Sequence, residues 1–588
     1  MSCFVVACKK QDSPLTRETP TDIDSIVANY YEQYLKLNPI EATQQGDERY
    51  NDQLPINIDK DFITAEIAFY KNVQDQLLKV DYKKLADDKK TVHDVLKYTL
   101  EDKIERYDYH PEFIPFTQFA GLPLDFPLLG SGAGSQPFKT EKNYEDWLRR
   151  MEKFPFWMKQ AQENFKEGIS AGIVLPKKLV VKMIPQMNDP QITTTDFQKN
   201  IFYGPVLNFP QNFTPKQKEK YTKLFEESIL KNIIPAYEKM GKFLETEYLP
   251  KSRNTDGLNG MANGKQQYLF LAKSYTTTNK TPKEIHQIGL QQVSALRQEM
   301  SKVQKEVGFS GTLEEFIHHV KEDPAAMPYK TSAEVLGAFQ NILKKIQPGL
   351  KQMFSVTPVT GFEIKATEKF RENTASAEYI QGSADGKRPG IFYIPIPNPE
   401  RFNVTSGMES LFLHEAIPGH HYQISLQQEN KNLPKFMRFG WFGAYGEGWA
   451  HYCETLGPAF GLYKDPYQKM GYLSDQMLRA VRLVIDTALH TGTMNREEAI
   501  DFFLKNVAYD QASATAEVER YMAVPGQALG YKIGSLKIKE LRNKYHKKLG
   551  KDFNIAHFHD EVLSQGCLPL DVLETKMELW AKREKNKK

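Results

Sequence analysis

Apolar residues recur every three or four positions over much of this chain, with polar residues in the gaps, as in helices that bury one face. The pattern is helical from about residue 20 to 110, where Ile23, Ile26, Val27, Tyr30, Tyr31, Tyr34 and Leu35 mark one face of the first element. Gly130-Ser131-Gly132-Ala133-Gly134-Ser135 reads as a loop, and a new helix is expected near Asn143. Helical spacing returns from Lys216 to Glu247 and from Pro282 to Val307. The latter opens on Thr281-Pro282-Lys283-Glu284, a capping threonine with Pro at the first helical position and Glu at the third.

One segment breaks this rhythm. Ala375 to Gly382 and Gly390 to Ile396 are rich in β-formers, and Ser383-Ala384-Asp385-Gly386-Lys387 between them is a turn. The reading is a short hairpin. Pro395, Pro397 and Pro399 cannot donate ladder hydrogen bonds, which puts the hairpin at an open edge. Such an edge either accepts an extended peptide as a further strand or is purely structural. Helices resume at Gly407, and Lys582 to Lys588 reads as a frayed, charged tail. The fold class expected is mainly α with a small hairpin or sheet.

Composition narrows the class. The 588 residues are 40% hydrophobic and 26% charged with a net charge of +3, an ordinary globular balance too mild to indicate a nucleic-acid partner. No apolar run is long enough to span a bilayer. The cysteines are Cys3, Cys8, Cys453 and Cys567, with no CxxC pair to build a metal site. Val5-Val6-Ala7-Cys8 followed by Lys9-Lys10-Gln11-Asp12-Ser13 has the form of the end of a bacterial lipoprotein signal and its tether, though the apolar stretch before it is short for a complete signal. Residues 1–20 are therefore expected to be a signal remnant with a lipid anchor at Cys8, placing the body in the cell envelope. If that motif is chance, the protein is cytoplasmic. Residues 21–588 are expected to form one helical body with lobes at 21–250 and 251–588.

The chemistry gathers in one stretch. His414, His420, His421 and His451 lie close together in the sequence with Glu415 and Glu447 among them. Imidazole and carboxylate are zinc ligands, and a catalytic zinc keeps three protein ligands and an open position. On a straight helix His414 and His420 stand about 240° apart and about 9 Å along the axis, while His421 returns to the right face but lies about 10.5 Å along. Neither shares an ion with His414 unless the helix is distorted. Pro418-Gly419 supplies the distortion, so a bulge that loops out two residues is expected to restore a ligand pair. Either His420 or His421 is the second ligand. Glu447 and His451 are four apart on one helical face; Glu447 is the simplest third ligand, and His451 is an outer partner, a substrate contact or a buried structural histidine.

His414-Glu415-Ala416-Ile417-Pro418-Gly419-His420-His421-Tyr422-Gln423 with Gly446-Glu447-Gly448-Trp449-Ala450 resembles the bacterial family known as domain of unknown function 885. Asn38-Pro39-Ile40-Glu41-Ala42-Thr43 and Leu568-Pro569-Leu570-Asp571 extend the resemblance over most of the chain. That family in turn resembles the helical gluzincin peptidases, such as angiotensin-converting enzyme and the Taq-type carboxypeptidases, whose HExxH motif has Gly before the second His. Dipeptidyl peptidase III, which tolerates an extra residue there, resembles this expanded motif. The resemblance implies a large helical metallopeptidase-like fold with a deep cleft and one zinc ion per chain. His414, His420 and Glu447 would be its ligands, and Glu415 the base acting on water. It also implies an oxyanion donor downstream, for which Tyr531 is favoured over Arg520 and Tyr521. Those two, with His421 and His451, are candidate substrate contacts. The expected function is hydrolysis of peptide bonds. The alternatives are hydrolysis of an ester or other amide, and peptide binding without cleavage.

Overall fold

Local capping decides where the helices begin. The structure, a computed structural model, describes residues 22–369, 372, 376–383 and 388–586. Helix α1 (Ile23–Leu37) starts where the Asp22 carboxylate accepts the Ser25 N–H, and it buries Ile23, Ile26, Val27, Tyr30, Tyr31 and Leu35. It is followed by α2 (Lys60–Leu77) and α3 (Asp87–Arg106). Helix α4 (Glu141–Ala171) begins slightly before Asn143, because Asn143 is the third helical residue and closes a capping box with Thr140. Residues 215–248 form a continuous helical run in which π-helical turns at Ile229–Ile233 and Leu244–Tyr248 alternate with α-helix. Helix α5 (Pro282–Glu306) starts at the capping box formed by Thr281 and Glu284.

The β segment is larger than a hairpin. Strand β1 (Phe362–Ala366) pairs in parallel with β3 (Gly390–Ile394), and β2 (Glu378–Ile380) pairs antiparallel on the other side of β3. The order β1-β3-β2 makes β3 the central strand and leaves β2 at an edge, which corrects the open-edge expectation for the β3 side of the hairpin. Pro395, Pro397 and Pro399 lie beyond the last paired residue of β3, so they end its ladder without exposing an edge along it. Ala375 and residues 384–387 of the expected hairpin lie outside the described residues.

The elements that build the site follow. They are α6 (Met408–Glu415), α7 (His420–Glu429), α8 (Gly443–Glu454), α9 (Pro466–Thr491) and α10 (Gly530–Leu549). Helix α8 packs most extensively on α10, and α5 on α9. The α8–α10 crossing is closed by glycines: a Cβ on Gly448 would lie 2.6 Å from Gly534 Cα, and one on Gly534 would lie 1.7 Å from the Ala444 carbonyl oxygen. The final helix runs from Leu570 to Asn586, so the charged tail is helical through Asn586 rather than frayed, and residues 587–588 lie outside the described part.

Two large hydrophobic clusters fill most of the interior, beside a small third one of Leu258, Met261 and Tyr268. One joins α1–α3 to the sheet, the site helices and the C-terminal helix. The other is built around packed aromatics such as Phe126, which stacks on Phe154 and meets Trp147 at a tilt, and is completed by α5 and α9. Each draws on residues from both sides of position 250. Among the described residues no helix is long and apolar enough to cross a membrane.

Candidate metal centre

The motif does not form a bulged helix; the helix breaks. Helix α6 ends at Glu415, the backbone turns through residues 416–419, and α7 starts afresh at His420. Proline and glycine act together here. Pro418 ends the ladder, with its carbonyl accepting the indole N–H of Trp449 at 2.9 Å. Gly419 passes so close to α6 that a Cβ would lie 1.8 Å from the His414 carbonyl oxygen. This break folds the His420 ring back against that of His414, with centroids 4.8 Å apart.

His414, His420 and Glu447, from the second turn of α8, present ligand atoms that all lie within 4.8 Å of one another. Glu447 Oε2 stands 3.6 Å from His414 Nε2 and 3.4 Å from His420 Nε2. Ordinary N–H···O hydrogen bonds are shorter, about 2.7–3.2 Å. Two donors sharing a tetrahedral zinc, at bond lengths near 2.0–2.2 Å, stand about 3.4 Å apart. The two separations from Glu447 therefore fit ligands of one zinc-sized ion, and the third pair of donors lies within 4.8 Å.

Glu454, two helical turns beyond Glu447, supports the cluster from behind. Its carboxylate accepts from His414 Nδ1 at 2.8 Å, His451 Nδ1 at 3.0 Å and Gln476 Nε2 at 2.8 Å. An ionised carboxylate only accepts, so His414 carries a proton on Nδ1 and turns Nε2 toward the cluster. Behind His451, Lys532 donates to Gln476 Oε1 at 2.7 Å. Sequence reasoning missed Glu454, Gln476 and Lys532. For Glu454 a signal existed, since a spacing of seven returns to the face of Glu447.

Charge and burial act against each other here. Burial disfavours a charged imidazole, yet Glu447 and Glu454 outweigh it and raise His414 to about 10. Burial likewise disfavours the Glu447 carboxylate, yet His420 and His414 hold it well below the usual range. Burial pushes His451 down to about 4 and Lys532 down to about 7. The carboxylates at the cluster thus favour a positive charge there, and a cation would replace the proton on His414 Nε2. Glu415 is half-buried, and no hydrogen bond or ion pair to another described residue occupies its carboxylate.

The remaining candidates lie elsewhere. His421 turns away to the sheet, with Nδ1 3.0 Å from the Tyr379 hydroxyl and its ring 4.7 Å from that of Phe362; burial lowers it to about 4. His451 is fully buried behind the cluster. Tyr521 is buried with its hydroxyl donating to Glu517 at 2.7 Å. Arg520 is tied to Glu517 at 3.1 Å and donates to Gln527 at 2.8 Å. None of these four lines the large cavity described next, whereas Tyr531 does, with the Arg482 guanidinium 4.9 Å from its ring centre. Cys453 and Cys567 are free and buried.

That cavity has a volume of about 1060 Å³ and reaches the cluster at Glu447. Its walls come from α1–α3, the loop before α8, and the start of α10. It is rich in tyrosine, including Tyr34, Tyr70, Tyr98 and Tyr107, and it carries Glu41, Glu66, Asp102, Lys103 and Arg106.

Comparison with known proteins follows this geometry. The family profile described as "Bacterial protein of unknown function (DUF885)" matches residues 39–577. A solved structure described as a "putative lipoprotein" from Colwellia psychrerythraea is 25% identical, with TM-score 0.87, covering 95% of this chain and 99% of its own. A second, described as a "putative lipoprotein of unknown function" from Shewanella oneidensis, shares the fold at 17% identity and TM-score 0.73, covering 95% of this chain and 100% of its own. No curated protein matches the chain.

Proposed function

The chain belongs to the DUF885 family of bacterial proteins, and from that premise we propose that it is a zinc-dependent hydrolase of peptide bonds in short peptides. The observation that carries this reading is the trio His414, His420 and Glu447, with the Glu447 oxygen at the spacing of a shared tetrahedral ion from both imidazoles and an outer carboxylate orienting His414. Two nitrogens and one oxygen make a catalytic rather than a structural donor set, because a structural zinc fills all four positions with protein atoms.

When bound, zinc supplies Lewis acidity toward a carbonyl and makes water more acidic. The protein supplies the rest. Glu415 follows a ligand directly and has no ion pair to another described residue, so it accepts the proton lost by the attacking water and passes it to the departing amine. In this reading Tyr531, which lines the same cavity as Glu447, donates a hydrogen bond to the substrate carbonyl oxygen as charge develops. Glu454 fixes the tautomer of His414. At about 1060 Å³ the cavity lies just above the range for small-ligand sites, about 300–1,000 Å³, which suits a few residues of extended peptide better than a folded protein.

The lipoprotein description of the relatives fits an envelope location with lipid on Cys8, which lies outside the described residues. The test of function is a panel of short peptides and esters incubated with the purified chain, with and without a metal chelator. Chelator-sensitive cleavage of peptides is expected. Turnover of esters alone, or binding without turnover of any substrate, would replace the reading.

A further inference from the structure

Of the five tryptophans, Trp147, Trp157, Trp449 and Trp580 are buried, whereas Trp441 is 47% exposed. Water is a poor solvent for an indole, so a large exposed ring calls for an explanation where it borders a site. Trp441 lines the large cavity, and its ring centre lies 5.9 Å from that of His420. It is held there by a gap in α8: a Cβ on Gly446 would lie 2.1 Å from the Trp441 ring, so only glycine lets the indole lie on the helix immediately before Glu447. Around it the cavity wall remains aromatic. Phe436, in the short helix Lys435–Arg438, and Phe439 and Phe442 after it line the same wall, and Phe442 meets Tyr98 edge-on at 5.9 Å.

We infer that Trp441 is the face of a subsite for an aromatic side chain of the substrate, in the residue beside the bond to be cut. This deepens the peptidase reading and rests on it for the position of that bond. The chemistry is that of ring on ring. An incoming aromatic side chain covers the exposed indole and gains an offset or edge contact in addition to the area removed from water. A methyl side chain covers little of the ring and gains neither. Gly446 therefore has a specificity role as well as a packing one, because it sets the depth at which the indole lies.

The test is a binding measurement that needs no turnover. The full chain, carrying Glu415→Gln, is titrated with Ala-Ala-Phe-Ala and with Ala-Ala-Ala-Ala, following tryptophan emission excited at a wavelength where phenylalanine does not absorb. Calorimetry supplies the affinities in Trp441→Ala and Trp441→Phe. The Phe peptide should bind at least about tenfold more tightly than the Ala peptide, the size of the aromatic contact alone before the buried area is added. It should quench Trp441, Trp441→Ala should abolish the preference, and Trp441→Phe should restore most of it. Equal affinities, failure of both peptides to bind, or a preference that survives Trp441→Ala overturns the inference. Cleavage of the same peptides by the unsubstituted, zinc-supplied chain is scored separately. A chain that discriminates between them without cutting either keeps the subsite and loses the peptidase.

Discussion

Replacing Glu454 by glutamine removes one charge at nearly constant volume, and the structure says what should follow. The carboxylate accepts three hydrogen bonds, from His414 Nδ1, His451 Nδ1 and Gln476 Nε2, at 2.8, 3.0 and 2.8 Å. Glutamine offers one acceptor oxygen and turns an NH₂ toward what is now a cluster of donors. At least one imidazole then loses its acceptor, and His414 loses the charge that holds its tautomer. Loss of such an outer partner typically lowers metal affinity about 10–100-fold, or about 1.4–2.8 kcal/mol. Alanine leaves the buried donors with no acceptor, each at about 1–3 kcal/mol. Glu454→Gln should therefore fall near the lower end of that affinity loss and Glu454→Ala near or beyond the upper end. Competition between the protein and a chromophoric zinc chelator measures this directly, with circular dichroism confirming the fold. Unchanged zinc affinity in Glu454→Gln would refute the positioning argument.

Other substitutions separate the remaining roles. His420→Ala should lose zinc while His421→Ala keeps it, because His421 faces Tyr379 and the sheet; metal analysis of the two variants decides. Glu415→Gln should retain zinc and lose about 10²–10⁴-fold in turnover, the worth of a general base, and near-normal rates would exclude Glu415 from that role. Asp486 lies elsewhere, buried beneath the Tyr268 hydroxyl and the Gly526 N–H. Burial raises it to about 7 despite those bonds. Its folded value lies above its unfolded one, so its contribution is full below about pH 4 and is lost as pH rises to about 7, at 1.36 kcal/mol per unit and so up to about 4 kcal/mol. Asp486→Asn should flatten the fall in melting temperature over that window, and parallel profiles for the two proteins would contradict this.

The parts of this site that could be read in the sequence are those with short-range signals. His414, Glu415 and the Gly-His pair announce ligand chemistry, and Pro418-Gly419 announces a distorted helix, though not that the helix would break and restart. Glu447 was readable from its place on an amphipathic turn. Glu454 was harder: it is one of 74 acidic residues, and its role depends on α6 packing against α8, which no local pattern encodes. Strand β1 left a trace in the alternation Phe362-Glu363-Ile364-Lys365-Ala366, half-buried and exposed in turn. Its parallel pairing with β3 joins residues separated by β2, and such nonlocal pairing has no turn signature. Trp441 gave no signal at all, since an indole reads as core until the glycine beneath it and the cavity beside it are seen. The pairing of Thr281 with Glu284 lay at the opposite extreme, because a capping box is complete within four residues.

The central claim is that one zinc ion is held by His414, His420 and Glu447. Its most direct test is elemental analysis of the purified chain beside His414→Ala, combined with anomalous diffraction at the zinc edge. The account predicts about one zinc per chain, an anomalous peak between those three side chains, and loss of both in the variant. A chain that hydrolyses peptides while carrying no metal, or whose zinc lies away from this trio, would contradict it.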